Sequence, residues 1–214
     1  MKKGFTIAEV LVTLGIIGIV AAMTLPGLMA RHRSKVLEAE FHKRYNEVSQ
    51  ALLMIKRDEM PIYGNYYGAQ IQPLLSARFK GAIGENIYSI ASVEQKKRIG
   101  YELPVYKTFN KMADFSKLKL DDGAVFVSKE FFIFLNTDND RTTSIQFVID
   151  INGLKKPNIV GYDVFVFALD KSDTLIPVSQ DKGLCDKTSS SILNGWSCSY
   201  FAMTETDYFK NLNW

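Results

Sequence analysis

Residues 1–35 read MKKGFTIAEVLVTLGIIGIVAAMTLPGLMARHRSK. From Phe5 to Leu25 the run is apolar except for Thr6, Glu9, Thr13 and Thr24. As an α-helix at ~1.5 Å per residue it spans ~31 Å, the thickness of one hydrocarbon core. Three readings compete for it. A cleaved secretory signal would use Lys2 and Lys3 as its basic region and be cut near Ala21-Ala22. A signal anchor would keep the whole run. A four-residue leader cut between Gly4 and Phe5 on the cytoplasmic face would leave the apolar run attached to the rest of the chain.

Glu9 separates them. An acid inside a membrane segment is unfavourable by roughly 2.5–3.5 kcal/mol and needs a partner. A cut after Gly4 supplies one: the new α-amine of Phe5 lies one helical turn from Glu9, and a neighbouring copy can present the same amine. A carboxylate unpaired in the monomer then favours assembly.

The segment KKGFTIAEVLVTLGIIGIVAAMTLP resembles the N-terminus of type IV pilins and type II secretion pseudopilins. That family has a basic leader ending in Gly, then Phe, Thr, and a Glu in the fifth place after the cut. Gly4, Phe5, Thr6 and Glu9 match, and Pro26 stands where many members break the helix. The resemblance implies cleavage after Gly4 by a prepilin peptidase that also methylates the Phe5 amine, and makes Glu9 the assembly residue. It implies as partners other pilin subunits, an inner-membrane assembly platform and the lipid bilayer. The location it implies is the bacterial inner membrane, crossed once with the head outside the cytoplasm, and then a filament. Counting Lys and Arg alone does not give that orientation, because Arg31, Arg33 and Lys35 outnumber Lys2 and Lys3. Cleavage from the cytoplasmic face does, and it sets the second basic cluster against headgroups on the outer side.

Beyond the membrane run, Leu37, Phe41, Tyr45, Val48, Leu52 and Ile55 recur at helical spacing with charges between them. The helix therefore continues, amphipathic, to the breakers of DEMPIYGNYYG. Residues 62–122 carry little pattern; IQPLLSARFKGAIG suggests a short helix after Pro73. GAVFVS, EFFIFLN, TSIQFVIDI and YDVFVFALD then read as four strands. Turn chemistry lies between them at Asp121-Asp122-Gly123, Asn136–Asp140 and Asn152-Gly153. Such a series predicts an antiparallel meander with one face on the helix and the other partly covered by loops. The expected fold class is α+β, a long N-terminal helix on an antiparallel sheet. Its divisions are a leader at 1–4, a transmembrane half at 5–30, an amphipathic half at 31–58 and a globular head at 59–214.

Two features of the head bear on chemistry. Asp150, Asn152, Asn158 and Asp163 bring oxygen ligands near one turn, in DINGLKKPNIVGYDVFVF. A calcium ion is one reading, a hairpin loop the other; the full EF-hand spacing is absent. The stretch resembles a pattern of pilin-like heads, some of which hold calcium. Cys185 and Cys198 enclose DKTSSSILNGWS. In an exported chain they read as one disulfide, against free thiols or half of a zinc site. They also resemble the C-terminal disulfide loop of type IV pilins.

Net charge is +3 with both signs interspersed, which gives no sign of a nucleic-acid partner. No nucleophile–base pair, P-loop or dinucleotide fingerprint is legible. His32 and His42 lie on the amphipathic helix without HExxH spacing or a carboxylate cluster. The chain thus reads as a substrate of processing and not an enzyme. Its expected role is a structural filament subunit, with a rare tip subunit that binds a ligand, a surface or DNA as the alternative.

Overall fold

The computed structural model describes residues 4, 6–85, 97–137 and 145–213. Helix α1 runs from Ile7 to Asp58. Its first half has apolar residues on every side. Its second half buries Leu37, Phe41, Val48, Ala51, Leu52 and Ile55 along one stripe, with Tyr45 half-buried beside them. The helix passes through Pro26 without interruption, so the proline is not the break that the resemblance suggested. It still leaves the Ala22 carbonyl without its helical donor.

The end of α1 is tied down from a distance. The amides of Ile62 and Tyr63 donate to Asp173 Oδ1 at 3.0 and 2.6 Å, and Lys56 Nζ lies 3.6 Å from Asp173 Oδ2. The chain leaving the helix is thereby held to the turn between the last two strands. Helix α2, Gly68–Ser76, comes next. It starts five residues before Pro73, not after it. The Gly68 amide donates to Thr137 Oγ1 at 2.9 Å, and Ile71 and Leu75 face the core.

The sheet has six antiparallel strands in chain order: β1 (Ile83–Glu85), β2 (Ala124–Ser128), β3 (Phe131–Asn136), β4 (Gln146–Asp150), β5 (Val164–Leu169) and β6 (Leu175–Pro177). The four strands expected from sequence are β2–β5. The expected turn at 136–140 lies partly outside the described residues. The edge strands β1 and β6 are three residues each and half-exposed, too short to print an alternation.

Register places Val125, Ile133, Ile149 and Phe165 in one row across four strands. This row faces α1, where the Phe41 ring packs on Phe165 and Phe167. The opposite face carries Phe126, Phe132, Phe134, Val148 and Val166. Loop residues Tyr106, Phe115 and Trp196 close over it. That face is a second core rather than a partly covered surface. Helix α3, Cys198–Thr204, packs near β5, with Ser199 Oγ donating to the Val166 carbonyl. At roughly 1.5–3 kcal/mol for each fully buried large side chain, the two faces together supply the driving force for the head.

Candidate functional site

Among the described residues, nothing packs over α1 between Ile7 and Met29. Residues 6–20 and 22–29 are all exposed, Ile7 at 81% and Leu28 at 63%. The helix is long and apolar enough to cross a membrane. Exposed apolar surface on this scale marks contact with lipid or another protein.

Glu9 lies at the start of this surface. The Thr6 amide and the Thr6 hydroxyl both donate to Glu9 Oε2 at 2.8 Å, and the Glu9 amide donates to Thr6 Oγ1 at 3.3 Å. This is a capping box: two helix-end donors are satisfied reciprocally, and the carboxylate sits at the positive end of the helix dipole. The T-x-x-E spacing at Thr6 and Glu9 is its sequence signature, hidden when Glu9 is read only as an assembly residue. Gly4 is exposed and outside regular secondary structure, and a Cβ built on it would meet nothing within 4 Å. Phe5, expected to be the new terminus, lies outside the described residues.

The four expected calcium ligands do come together at the end of β4 and in the connection to β5, where the carboxylate oxygens are already engaged. Asp150 Oδ1 accepts from the amides of Asn152 and Gly153 at 3.2 and 2.6 Å, and Oδ2 from the Tyr106 hydroxyl at 2.7 Å. Asp163 Oδ1 and Oδ2 accept from the amides of Ile159 and Asn158 at 2.8 and 2.7 Å. Asn152 Nδ2 donates to the Lys156 carbonyl at 3.3 Å, while its buried Oδ1 has no hydrogen-bond partner among the described residues. Every carboxylate oxygen thus faces an N–H or O–H proton, which repels a cation. The two carboxylates clamp the two ends of a long hairpin loop. Asn158 and Gly153 take positive φ, 56° and 63°. A Cβ on Gly153 would lie 2.4 Å from the Lys129 carbonyl oxygen, so the loop requires glycine there.

Burial dominates the electrostatics of this clamp. Asp163 is pushed up to about 7, and Asp150 is also raised, first by burial and then by the Asp163 charge. Tyr106 is raised by burial and by the neighbouring carboxylates.

The cysteines are bridged, with Cα atoms 5.0 Å apart. Cys198 is fully buried at the start of α3, and Cys185 is half-buried. Between them Asn194 organises the loop. Its Nδ2 donates to the carbonyls of Asp186 and Ser189, and its Oδ1 accepts from the Asp186 amide. His32 lines a cavity beside α1 that Glu40 and Glu130 also line, and the His42 ring stands edge-on to Phe41 at 5.3 Å.

Comparison with known proteins adds one match. Residues 1–25 fit the family model described as the prokaryotic N-terminal methylation motif. No curated protein and no solved structure matches the chain. The motif covers the leader, the capping box and most of the exposed apolar run. It describes a processed segment, that of type IV pilin precursors, and not a catalytic one.

Proposed function

We propose, from a chain that carries the N-terminal methylation motif, that this protein is a structural subunit of a type IV pilus or a type II secretion-like pseudopilus. The observation that carries the reading is the combination of that motif with a fully exposed apolar helix whose distal half is welded to a globular head. A prepilin peptidase cuts between Gly4 and Phe5 and methylates the new amine. Until assembly, residues 7–29 span the inner membrane once, with the head on the outer side. In the filament these helices pack against one another in a heterologous array that does not close.

Cleavage replaces the Gly4–Phe5 amide with an ammonium next to the Thr6–Glu9 cap. Glu9 then has two roles. It caps its own helix through Thr6, and it draws the Phe5 ammonium of a neighbouring subunit into register. In an apolar surrounding this attraction is far stronger than in water, and either charge alone is unfavourable.

The test is the mass of the mature N-terminus from membrane-extracted protein. Loss of residues 1–4 with one added methyl is the expected result. A terminus near Met23 would return the segment to the secretory-signal reading and overturn this one.

A further inference from the structure

We infer that the cavity between α1 and the β4–β5 loop is a binding site for the headgroup of an anionic phospholipid. The inference rests on the proposed membrane anchoring of residues 7–29. The cavity has a volume of about 460 Å³, within the range of small-ligand sites. Its apolar wall is formed by Val36, Ile151 and Pro157.

Its charge is not balanced. Arg44 is neutralised by Glu40 and Glu47 at 3.3 and 2.9 Å, and Lys155 by Glu130 at 2.6 Å. This accounts for both carboxylates of the lining, Glu40 and Glu130. Arg33 and Lys156 remain, exposed and without an ion-pair partner among the described residues, with His32 beside them. One cation comes from the helix and one from the head, so the excess positive charge converges on one space.

The depth of the cavity selects the source of the anion. From Ile7 to Met29 the helix covers ~34 Å, slightly more than the ~30 Å hydrocarbon core. Arg33 lies one turn further, ~6 Å beyond Met29, within the headgroup layer. A phosphodiester at this height meets Arg33 and Lys156, while the apolar wall accepts the glycerol backbone and the first methylenes. Arg31 and Lys35 share this depth but do not line the cavity. They supply diffuse attraction only.

The experiment uses full-length protein and two double variants of equal charge, Arg33→Gln/Lys156→Gln and Arg31→Gln/Lys35→Gln. Co-flotation with phosphatidylcholine vesicles first reports the anchor. Native mass spectrometry of the detergent-solubilised chain, titrated with phosphatidylglycerol, phosphatidylcholine or inorganic phosphate, then reports the site. One retained phosphatidylglycerol is expected, with phosphatidylcholine at least tenfold weaker. Arg33→Gln/Lys156→Gln should weaken retention by about 25-fold, at about fivefold for each cation lost. Arg31→Gln/Lys35→Gln, at positions that do not line the cavity, should leave retention close to that of the wild type.

Equal weakening by both variants would overturn the site in favour of diffuse attraction. Displacement of the lipid by inorganic phosphate at equal concentration would assign the cavity to a free anion. A lipid-free dimer abolished by Arg33→Gln/Lys156→Gln would assign it to a second copy. A chain that floats with vesicles yet retains no phosphatidylglycerol refutes the site alone; a chain that does not float refutes the anchor.

Discussion

The ring of Phe41 stands 4.6 Å from that of Phe165, edge to face, at the point where the long helix crosses the sheet. Phe41 also lies 5.5 Å from Phe209 of the C-terminal segment. One side chain of α1 thereby joins the membrane-proximal helix to both the sheet and the end of the chain.

Phe41→Ala should therefore destabilise the head by about 3–5 kcal/mol, as expected for an aromatic removed from a packed core. Thermal unfolding of the solubilised chain, monitored by circular dichroism, checks this. Val36→Ala, at an exposed position on the same helix, should change stability by less than about 0.5 kcal/mol. Similar effects of the two changes would refute the packing account.

Glu9 should be needed for assembly and not for cleavage. Glu9→Val removes the acid and lengthens the apolar run, so insertion and cutting after Gly4 should persist. The processed subunit should then accumulate in the membrane and be missing from sheared fibres. Gly4→Val is the paired control and should leave uncut precursor. Wild-type amounts of Glu9→Val protein in fibres would show that the capping box is the whole role of the residue.

The disulfide should be intact in protein isolated from cells, so that alkylation without reductant modifies neither Cys185 nor Cys198. Reduction should lower stability by ~3 kcal/mol for a loop of this length. Gly161 abuts the bridge with φ +90°, and a Cβ there would lie 2.7 Å from Cys198 Sγ and 2.6 Å from the Phe109 ring. Gly161→Ala should destabilise by about 1–3 kcal/mol through overpacking alone, and by more with the backbone strain. Melting curves of reduced, oxidised and Gly161→Ala protein separate the loss of the bridge from the effect of the added Cβ.

The buried carboxylates predict a pH dependence of a particular sign. Burial raises Asp163 from 3.8 to about 7, so between those values the folded head binds more protons than the unfolded chain. Stability from this group is therefore greatest at the acid end and declines as pH rises toward 7. Asp150 is shifted in the same direction. The melting temperature of wild type minus that of Asp163→Asn should fall between pH 4.5 and 7.5. A difference that rises with pH would mean that the clamp holds two ionised carboxylates.

The sequence by itself determined the anchor, the helix and the four long strands. Glu9 is legible because a charge inside an apolar run violates a strong solvent rule. The helix and β2–β5 are legible because each buries side chains at its own period. Tertiary structure decided the rest. Asp150 and Asp163 resemble cation ligands when read in a line. Only folding shows that the amides of Asn152, Gly153, Asn158 and Ile159 and the Tyr106 hydroxyl already face their oxygens. The edge strands β1 and β6 exist because neighbours offer them a ladder, since three residues cannot specify a strand by pattern. The second core likewise depends on residues distant in sequence. Phe115 and Trp196 lie far apart along the chain, and their rings stack at 6.1 Å only once the sheet has brought their loops to one face. A sequence prints periodic burial; it does not print which donor meets which acceptor, because that pairing is made by chain segments that are neighbours only in space.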